Sequence, residues 1–422
     1  MLQIRRVHRW IVPFTPAVLL AAVVSQPGAA ATLCVNPGGT GGCYSQIAAA
    51  VAAASSHDII RVAAGTYKED VIIGKPLSLV GSGNAVTTID ANGLPNGVYI
   101  DGLDHPGLTN VLVTGFTVKN ANFEGILMTN LSASAIYNNK VISNNKGLDL
   151  SSFTCPGLPP FETSESEDCG EGVHLVGVDH TTIANNLVQS NAGGILVSDE
   201  TAATHDNLIS GNTVSNNPYD CGITLASHPP AQGSAPFGIT HNTIVNNVSS
   251  HNGTQVPGAG AGIGMFSFLP GGTVSGNVVV NNQLTNNGLP GITFHAHSPG
   301  EVLTDNMIVG NSISGNGPDS EDAATPGPTG INVFGVSALS GTIISQNVFD
   351  NETLDVVVNT PAQVQVNLND FLDANFGVDN IGSGSANALE NWWGCSGGPS
   401  APGCAAVGGS KVSFVPWLTA PF

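Results

Sequence analysis

Polar and apolar positions alternate along this chain in very short runs that return at a nearly fixed interval. A Gly followed by an apolar residue, any residue and a second apolar residue recurs as Gly125-Ile126, Gly147-Leu148, Gly172-Val173, Gly194-Ile195, Gly222-Ile223, Gly262-Ile263, Gly291-Ile292 and Gly330-Ile331. The first four of these Gly, at positions 125, 147, 172 and 194, are almost evenly spaced. A second signal, two Asn one short bend apart, repeats at 139/144, 186/191, 212/217, 242/247, 277/282 and 306/311. Two positions beyond each first Asn sits an apolar residue: Val141, Val188, Val214, Ile244, Val279 and Ile308. Each unit therefore predicts a few short strands joined by Asn-containing bends, too small to bury its own apolar side chains, so the units must stack. Placing equivalent positions one above another as parallel strands, about 4.8 Å apart, gives a parallel β-helix. Asn suits the bends because it tolerates left-handed backbone and its amide can bond to the amide one coil above. A leucine-rich horseshoe would need a dense Leu pattern that is absent.

The segment ahead of the repeat reads as a cap. Ser45 to Ala54 has a short Ala-rich helix pattern, followed by Asp58-Ile59-Ile60-Arg61-Val62, Gly65-Thr66-Tyr67, Val71-Ile72-Ile73 and Leu77-Ser78-Leu79-Val80-Gly81. This stretch and the later coils resemble the pectate-lyase-like right-handed parallel β-helix superfamily. Asn391-Trp392-Trp393-Gly394-Cys395 through Cys404 to Pro416-Trp417 resembles a closing segment of its bacterial members. The resemblance runs from about Thr32 to Phe422 and implies an all-β solenoid with a short N-terminal helical cap. It leaves the reaction open, because the superfamily holds lyases, epimerases, hydrolases, copper-maturation factors and adhesins.

Composition agrees. The 422 residues include 53 Gly and 41 Asn, which each disfavour a helix interior by roughly 0.5 to 1 kcal/mol against Ala. Thirty Asp plus Glu face ten Lys plus Arg, which argues against nucleic acid as a partner. Arg5, Arg6 and Arg9 precede an apolar run, Ala17 to Val24, then Pro27-Gly28 and Ala29-Ala30-Ala31. That order predicts a signal peptide over residues 1–31, and no later stretch approaches the ~20 apolar residues of a membrane span. The expected mature chain, 32–422, is one domain: 32–81 the cap and first coils, 82–385 the coils, 386–422 the closing segment. A secreted or periplasmic monomer is expected. Cysteine spacing in an exported chain favours the disulfides Cys34–Cys43, Cys155–Cys169 and Cys395–Cys404, with Cys221 left over.

Irregular spacing locates a site. The gap from the second Asn to the next Gly strand is short at 144/147 and 191/194, but long at 247/262, 282/291 and 311/330. Further insertions run from Asp199 to Asp206 and from His228 to Pro236. Both flanks of one strand column are thus expected to be walled by loops, a groove where solenoids bind extended ligands. The second residue after each Gly should point outward, giving the floor Leu127, Asp149, His174, Leu196, Thr224, Gly264, Thr293 and Asn332. Asp149 one coil from His174 would orient that imidazole as a general base; the plain alternative is a surface hydrogen bond. The same registration sets Asp199 and Glu200 beside His228, and Phe266 beside His295 with His297 nearby, a group suited to metal binding or proton transfer. Glu124, Lys146 and Glu171 read as a structural charge ladder.

No Lys or Arg occurs between Lys146 and Lys411. A lyase of the resembled type neutralises a uronate carboxylate with basic side chains, which these coils lack, so it would need Ca²⁺ or another cation and a His base. The acidic loop Asp319-Ser320-Glu321-Asp322 is a candidate for that ion without a recognised ligand spacing. No two acids fall in one column on adjacent coils as a glycosidase pair would, and the Asp-Pro-His-Glu motif of alginate-type epimerases is absent. The expected function is recognition of a polysaccharide or cell-surface glycan, with lyase or hydrolase chemistry. His174, Asp149 and His228 are the catalytic candidates, and Asp199, Glu200, Thr224, Phe266, Thr293, His295, His297 and Asn332 the substrate-binding ones. The alternatives are a non-catalytic scaffold, and copper handling by His295, His297 and the four dispersed Met.

Overall fold

A computed structural model of the protein describes residues 30–422 apart from 153, 160, 162–168, 229–234, 257–258, 268, 320–324, 326 and 374. All but the last two residues of the expected signal peptide lie outside the described ones. The chain winds as a right-handed parallel β-helix whose described strands form sheets of 14, 12 and 11 strands, with a short sheet of three at one corner. Every strand pair within these sheets is parallel, and each strand pairs with its counterpart one coil away: Ile126 with Val173, Val173 with Ile195, Ile195 with Ile223, Ile223 with Ile263. The inward side of that column is an unbroken Ile/Val stack, all fully buried. The Gly before each apolar residue is needed for close approach, since a Cβ on Gly125 would collide with the Val141 side chain and the Gly172 carbonyl oxygen.

Register is held at the corners by stacked amides. Asn247 donates its backbone N–H (2.9 Å) and its Nδ2 (3.0 Å) to Oδ1 of Asn282 on the next coil, and Nδ2 also reaches the Ile209 carbonyl at 2.9 Å. The same pattern links Asn139, Asn186, Asn212, Asn247, Asn282 and Asn311. A second ladder joins Asn144, Asn191, Asn217, Asn252, Asn287 and Asn316 and ends on Glu352. A third runs Asn207, Asn242, Asn277, Asn306. The sequence spacing had merged these. In the first three pairs the earlier Asn belongs to the first ladder, whereas 242, 277 and 306 lie one corner earlier, so Val141 and Ile244 fall in different sheets. Successive corners are equally far apart along the chain, so spacing alone could not distinguish them.

The Gly147 segment is a second correction. The strand Ile126–Thr129 pairs directly with Val173–Val176, and no coil intervenes. The described residues of 145–170 form an insertion tied by the Cys155–Cys169 disulfide and packed on Phe123. The expected disulfides Cys34–Cys43 and Cys395–Cys404 are also present, and Cys221 is a buried thiol. At the N-terminal end the helix Ile47–Ala53 lays Ile47, Ala50 and Val51 on the first coils, its leading N–H groups held by Glu69 at 2.9 and 2.8 Å. At the other end Phe349, Phe371 and Trp393 stack inside the solenoid, with ring centroids 5.6 and 5.0 Å apart.

Asn282→Ala strips Asn247 of its acceptor and Ile244 of its donor inside the wall, and should cost roughly 2–4 kcal/mol in urea unfolding. Burial raises the Glu352 carboxyl to about 7 and the wholly buried Asp355 well above its ordinary value. Between the release of protons by an unfolded chain near pH 4 and that higher value, only the native state keeps its proton, so stability weakens as pH rises. Glu352→Gln keeps an oxygen for Asn316 and removes the Glu352 share of this dependence, leaving that of Asp355. It should gain roughly 3 kcal/mol over the native chain at pH 8 and almost nothing at pH 4, read from unfolding midpoints at the two pH values.

Candidate functional site: a roofed seam of acids and histidines

The outward side of the 12-stranded sheet carries the column Leu127, His174, Leu196, Thr224, Gly264, Thr293 and Asn332 in successive register. The column is as expected apart from Asp149. That residue sits on the insertion, fully exposed, with its carboxylate accepting from Ser151 and Ser152, and it is no neighbour of His174. The expected dyad is therefore replaced. His174 Nδ1 lies 3.9 Å from Glu124 Oε1, and its Nε2 is bonded to Ser198 Oγ at 2.8 Å. Burial lowers His174 to about 4, so the imidazole is neutral at pH 7.

The expected grouping of Asp199, Glu200 and His228 is present. His228 Nδ1 meets Glu200 Oε1 at 3.0 Å, and the His228 backbone N–H donates to Asp199 Oδ1 at 2.7 Å. Asp199 Oδ2 also accepts from Ser227 Oγ at 3.0 Å and from the Gly238 N–H. Burial pushes Asp199 up to about 6. Burial acts on Glu200 in the same sense but is outweighed chiefly by the His228 hydrogen bond, leaving its pKa below the ordinary value. Two adjacent carboxyls are thus pushed in opposite directions.

Farther along, His295 stands in register between Phe266 and Phe334, and its Nε2 meets Asp319 Oδ2 at 2.5 Å. Asn332 Nδ2 donates to the same oxygen at 2.5 Å and Thr293 Oγ1 at 3.4 Å. The His297 ring lies 5.2 Å from that of His295. Thr224 and Gly264 separate this group from the first along the column.

The face is not an open groove. His174, His228 and His295 are each 1% exposed and Asp199 and Asp319 fully buried. The outward column is covered, since Leu127, His174, Leu196, Thr293 and Asn332 on it are buried, and Asp319 reaches it through Thr293, His295 and Asn332. The expected charge ladder is absent: Lys146 is exposed on the insertion, bonded to Asn145, while Glu124 and Glu171 are buried. Since Gly147 starts no coil, Glu124 and Glu171 occupy one column on adjacent coils, contrary to the expectation that no acids do. Sequence reasoning missed the pairing of these two through the false coil, missed Ser198 at the end of the strand Ile195–Ser198, and named Asp319 only as a candidate ion ligand because loops carry no period. The signal for Glu124 and Glu171 was the Glu before Gly at both positions. Of the acidic loop, 320–322 lie outside the described residues. Met128 and Met265 point into the core and Met307 lies on the 14-stranded sheet, so no described Met joins His295 and His297.

The family described as "Periplasmic copper-binding protein (NosD)" matches residues 51–260 and 160–341. No curated protein sequence matches the chain. Among solved structures, an ORF18 protein of Geobacillus virus E2 is similar at 14% identity over 84% of this chain, with a TM-score of 0.52; this chain spans 61% of its length. The Azotobacter vinelandii mannuronan C-5 epimerase AlgE4 A-module follows at 13% identity, 88% of this chain and 92% of that one, TM-score 0.47. An alginate lyase from Paenibacillus sp. FPU-7 aligns at 13% identity, 90% and 99%, TM-score 0.43. The viral likeness shows the fold. Among the described residues no helix is long and apolar enough to cross a membrane.

Two outcomes check the geometry. The His174 ring resonances should stay at their neutral positions when the pH is lowered from 8 to 5.5, since a pKa of about 4 leaves the ring uncharged throughout. Asp149→Ala should shift the unfolding free energy by less than about 0.5 kcal/mol, as for an exposed surface residue.

Proposed function

This chain belongs to the NosD family, and we propose that it works outside the cytoplasm on a glycan of neutral sugars, with general acid–base chemistry of hydrolase type in the roofed seam. The observation that carries this reading is the adjacent pair Asp199 and Glu200, held at opposite ends of the carboxyl range by their surroundings. Titratable neighbours driven apart in this way mark an acid and a base. Asp199 keeps a proton to about pH 6 and serves as the acid. Ionised Glu200 fixes one nitrogen of His228, whose imidazole serves as the base. His174, fixed by Glu124 and Ser198, extends the relay behind them. Thr224, Thr293 and Asn332 line the face along which sugar hydroxyls would lie, with Phe266, His295 and His297 at the far edge.

Neutral sugars are favoured because the coils bring no cation to the seam: with no Lys or Arg between Lys146 and Lys411, nothing is there to meet a uronate. Access requires the cover over Asp199, Glu200 and His228 to open, since all three are buried. The family's description as copper-binding does not find its ligands in this seam. There, among the described residues, no three His, Cys or carboxylate donors converge within metal-binding distance and no thioether approaches.

The test is a panel of neutral and acidic polysaccharides, followed by reducing ends and by absorbance of unsaturated uronates. Reducing ends are expected from a neutral polymer, with activity declining above an apparent pKa near 6 as Asp199 ionises. Asp199→Asn and His228→Ala should each lower kcat/KM by at least ~100-fold. Unsaturated products would replace the hydrolase reading with a lyase, and binding without turnover would leave a glycan-binding solenoid.

A further inference from the structure

We infer that the corner where His180, His205 and Asp206 meet is a binding site for a divalent transition-metal ion. It lies away from the seam, at the bend leading into the 14-stranded sheet, and nothing in the glycan reading depends on it. One donor atom from each of the three side chains lies within 4.8 Å of the other two. The His180 and His205 rings meet edge to face at 5.8 Å.

Successive coils place Ala133, His180, Asp206, His241, Gly276, Asp305 and Gly341 at this bend, each immediately before the ladder residue of its coil, and all have φ between 48° and 74°. Asp and His, like Asn, accept that left-handed backbone, so three consecutive coils can carry His180, Asp206 and His241 at one bend without strain. His205 stands beside them, paired in register with Asp179.

The hydrogen bonds suit ligation. His180 Nδ1 meets Asp179 Oδ1 at 2.7 Å and His205 Nδ1 meets Asp206 Oδ2 at 2.8 Å. Asp179, outside the three ligands, fixes the His180 imidazole and makes its other nitrogen more basic, as metal-bound histidines are usually supported, while the bond between His205 and Asp206 holds two of the ligands together. Two imidazoles with one carboxylate select Zn²⁺, Cu²⁺ or Ni²⁺ over the oxygen-seeking Ca²⁺. His180 is well exposed, so an ion has a path in. Asp179 and His205 also line a cleft of about 480 Å³, walled by Leu103, Pro106, Leu131 and Ala202, with room for a small ligand on an ion held at its rim.

The test is calorimetric titration of the full untagged chain with Zn²⁺ and, separately, Cu²⁺ near neutral pH, with nitrogen hyperfine structure of bound Cu²⁺ as a second readout. One ion per chain is expected. Affinity should fall at least tenfold in both His180→Asn, which keeps a residue tolerant of the bend, and His205→Ala, and should be unchanged in His251→Ala on another corner. Matching circular dichroism and unfolding midpoints establish that the variants are folded. Absence of binding by either ion, or affinity unchanged in either corner variant, overturns the assignment.

Discussion

The amide hydrogen bond between one coil's Asn and the next is the constraint on which the rest depends. A parallel solenoid has no sequence-local strand pairing, so each coil must find its neighbour through distant contacts such as Ile126 with Val173 and Ile223 with Ile263. A one-residue slip would turn the Ile/Val column to the outside. Each ladder Asn bonds the coil above through one oxygen and the coil below through one nitrogen, and is left with no polar atom to spare. That satisfies the buried corners and fixes the register in one step.

Rigid corners permit irregular loops. The insertions at 145–170 and 199–206, and those entering after 227 and 316, leave the stacked strands undisturbed because the ladders on either side close the coil regardless of what is hung between them. The loops then roof the 12-stranded sheet and carry its ionisable groups out of water. Burying Glu200, His228, Asp199 and His174 together is costly unless they bond to polar partners, and they do. A network of this kind is weak evidence for stability and better evidence for chemistry.

Fold and site were legible to different degrees. Winding was plain from periodic Gly and Asn, and so was the outward column from His174 to Asn332, because strand register preserves sequence spacing. Phase failed at Asn242, where identically spaced corners alias, and at Gly147, where a chance Gly-Leu inside a loop mimicked a coil. That single false coil produced the Asp149 partner, hid the Glu124 and Glu171 pairing and invented a ladder with Lys146. Asp319 stood out in the sequence only as a candidate ion ligand, and its pairing with His295 was out of reach because the path of a loop sets it, which no repeat encodes. His180, His205 and Asp206 carry no signal in the spacing, and only three-dimensional stacking brings them together.

The same ladders bear on chemical ageing. Asn followed by Gly is the sequence most prone to cyclise, when the backbone nitrogen of the Gly attacks the side-chain carbonyl. Asn252-Gly253, Asn287-Gly288 and Asn316-Gly317 all carry it, yet each Gly N–H is bonded to the preceding coil, at Asn217, Asn252 and Asn287, and each Asn amide is clamped in the stack. Attack would require a whole corner to open. Succinimide formation is thereby diverted to the exposed turn at Asn92-Gly93, where the resulting charge touches no ladder and the winding survives it.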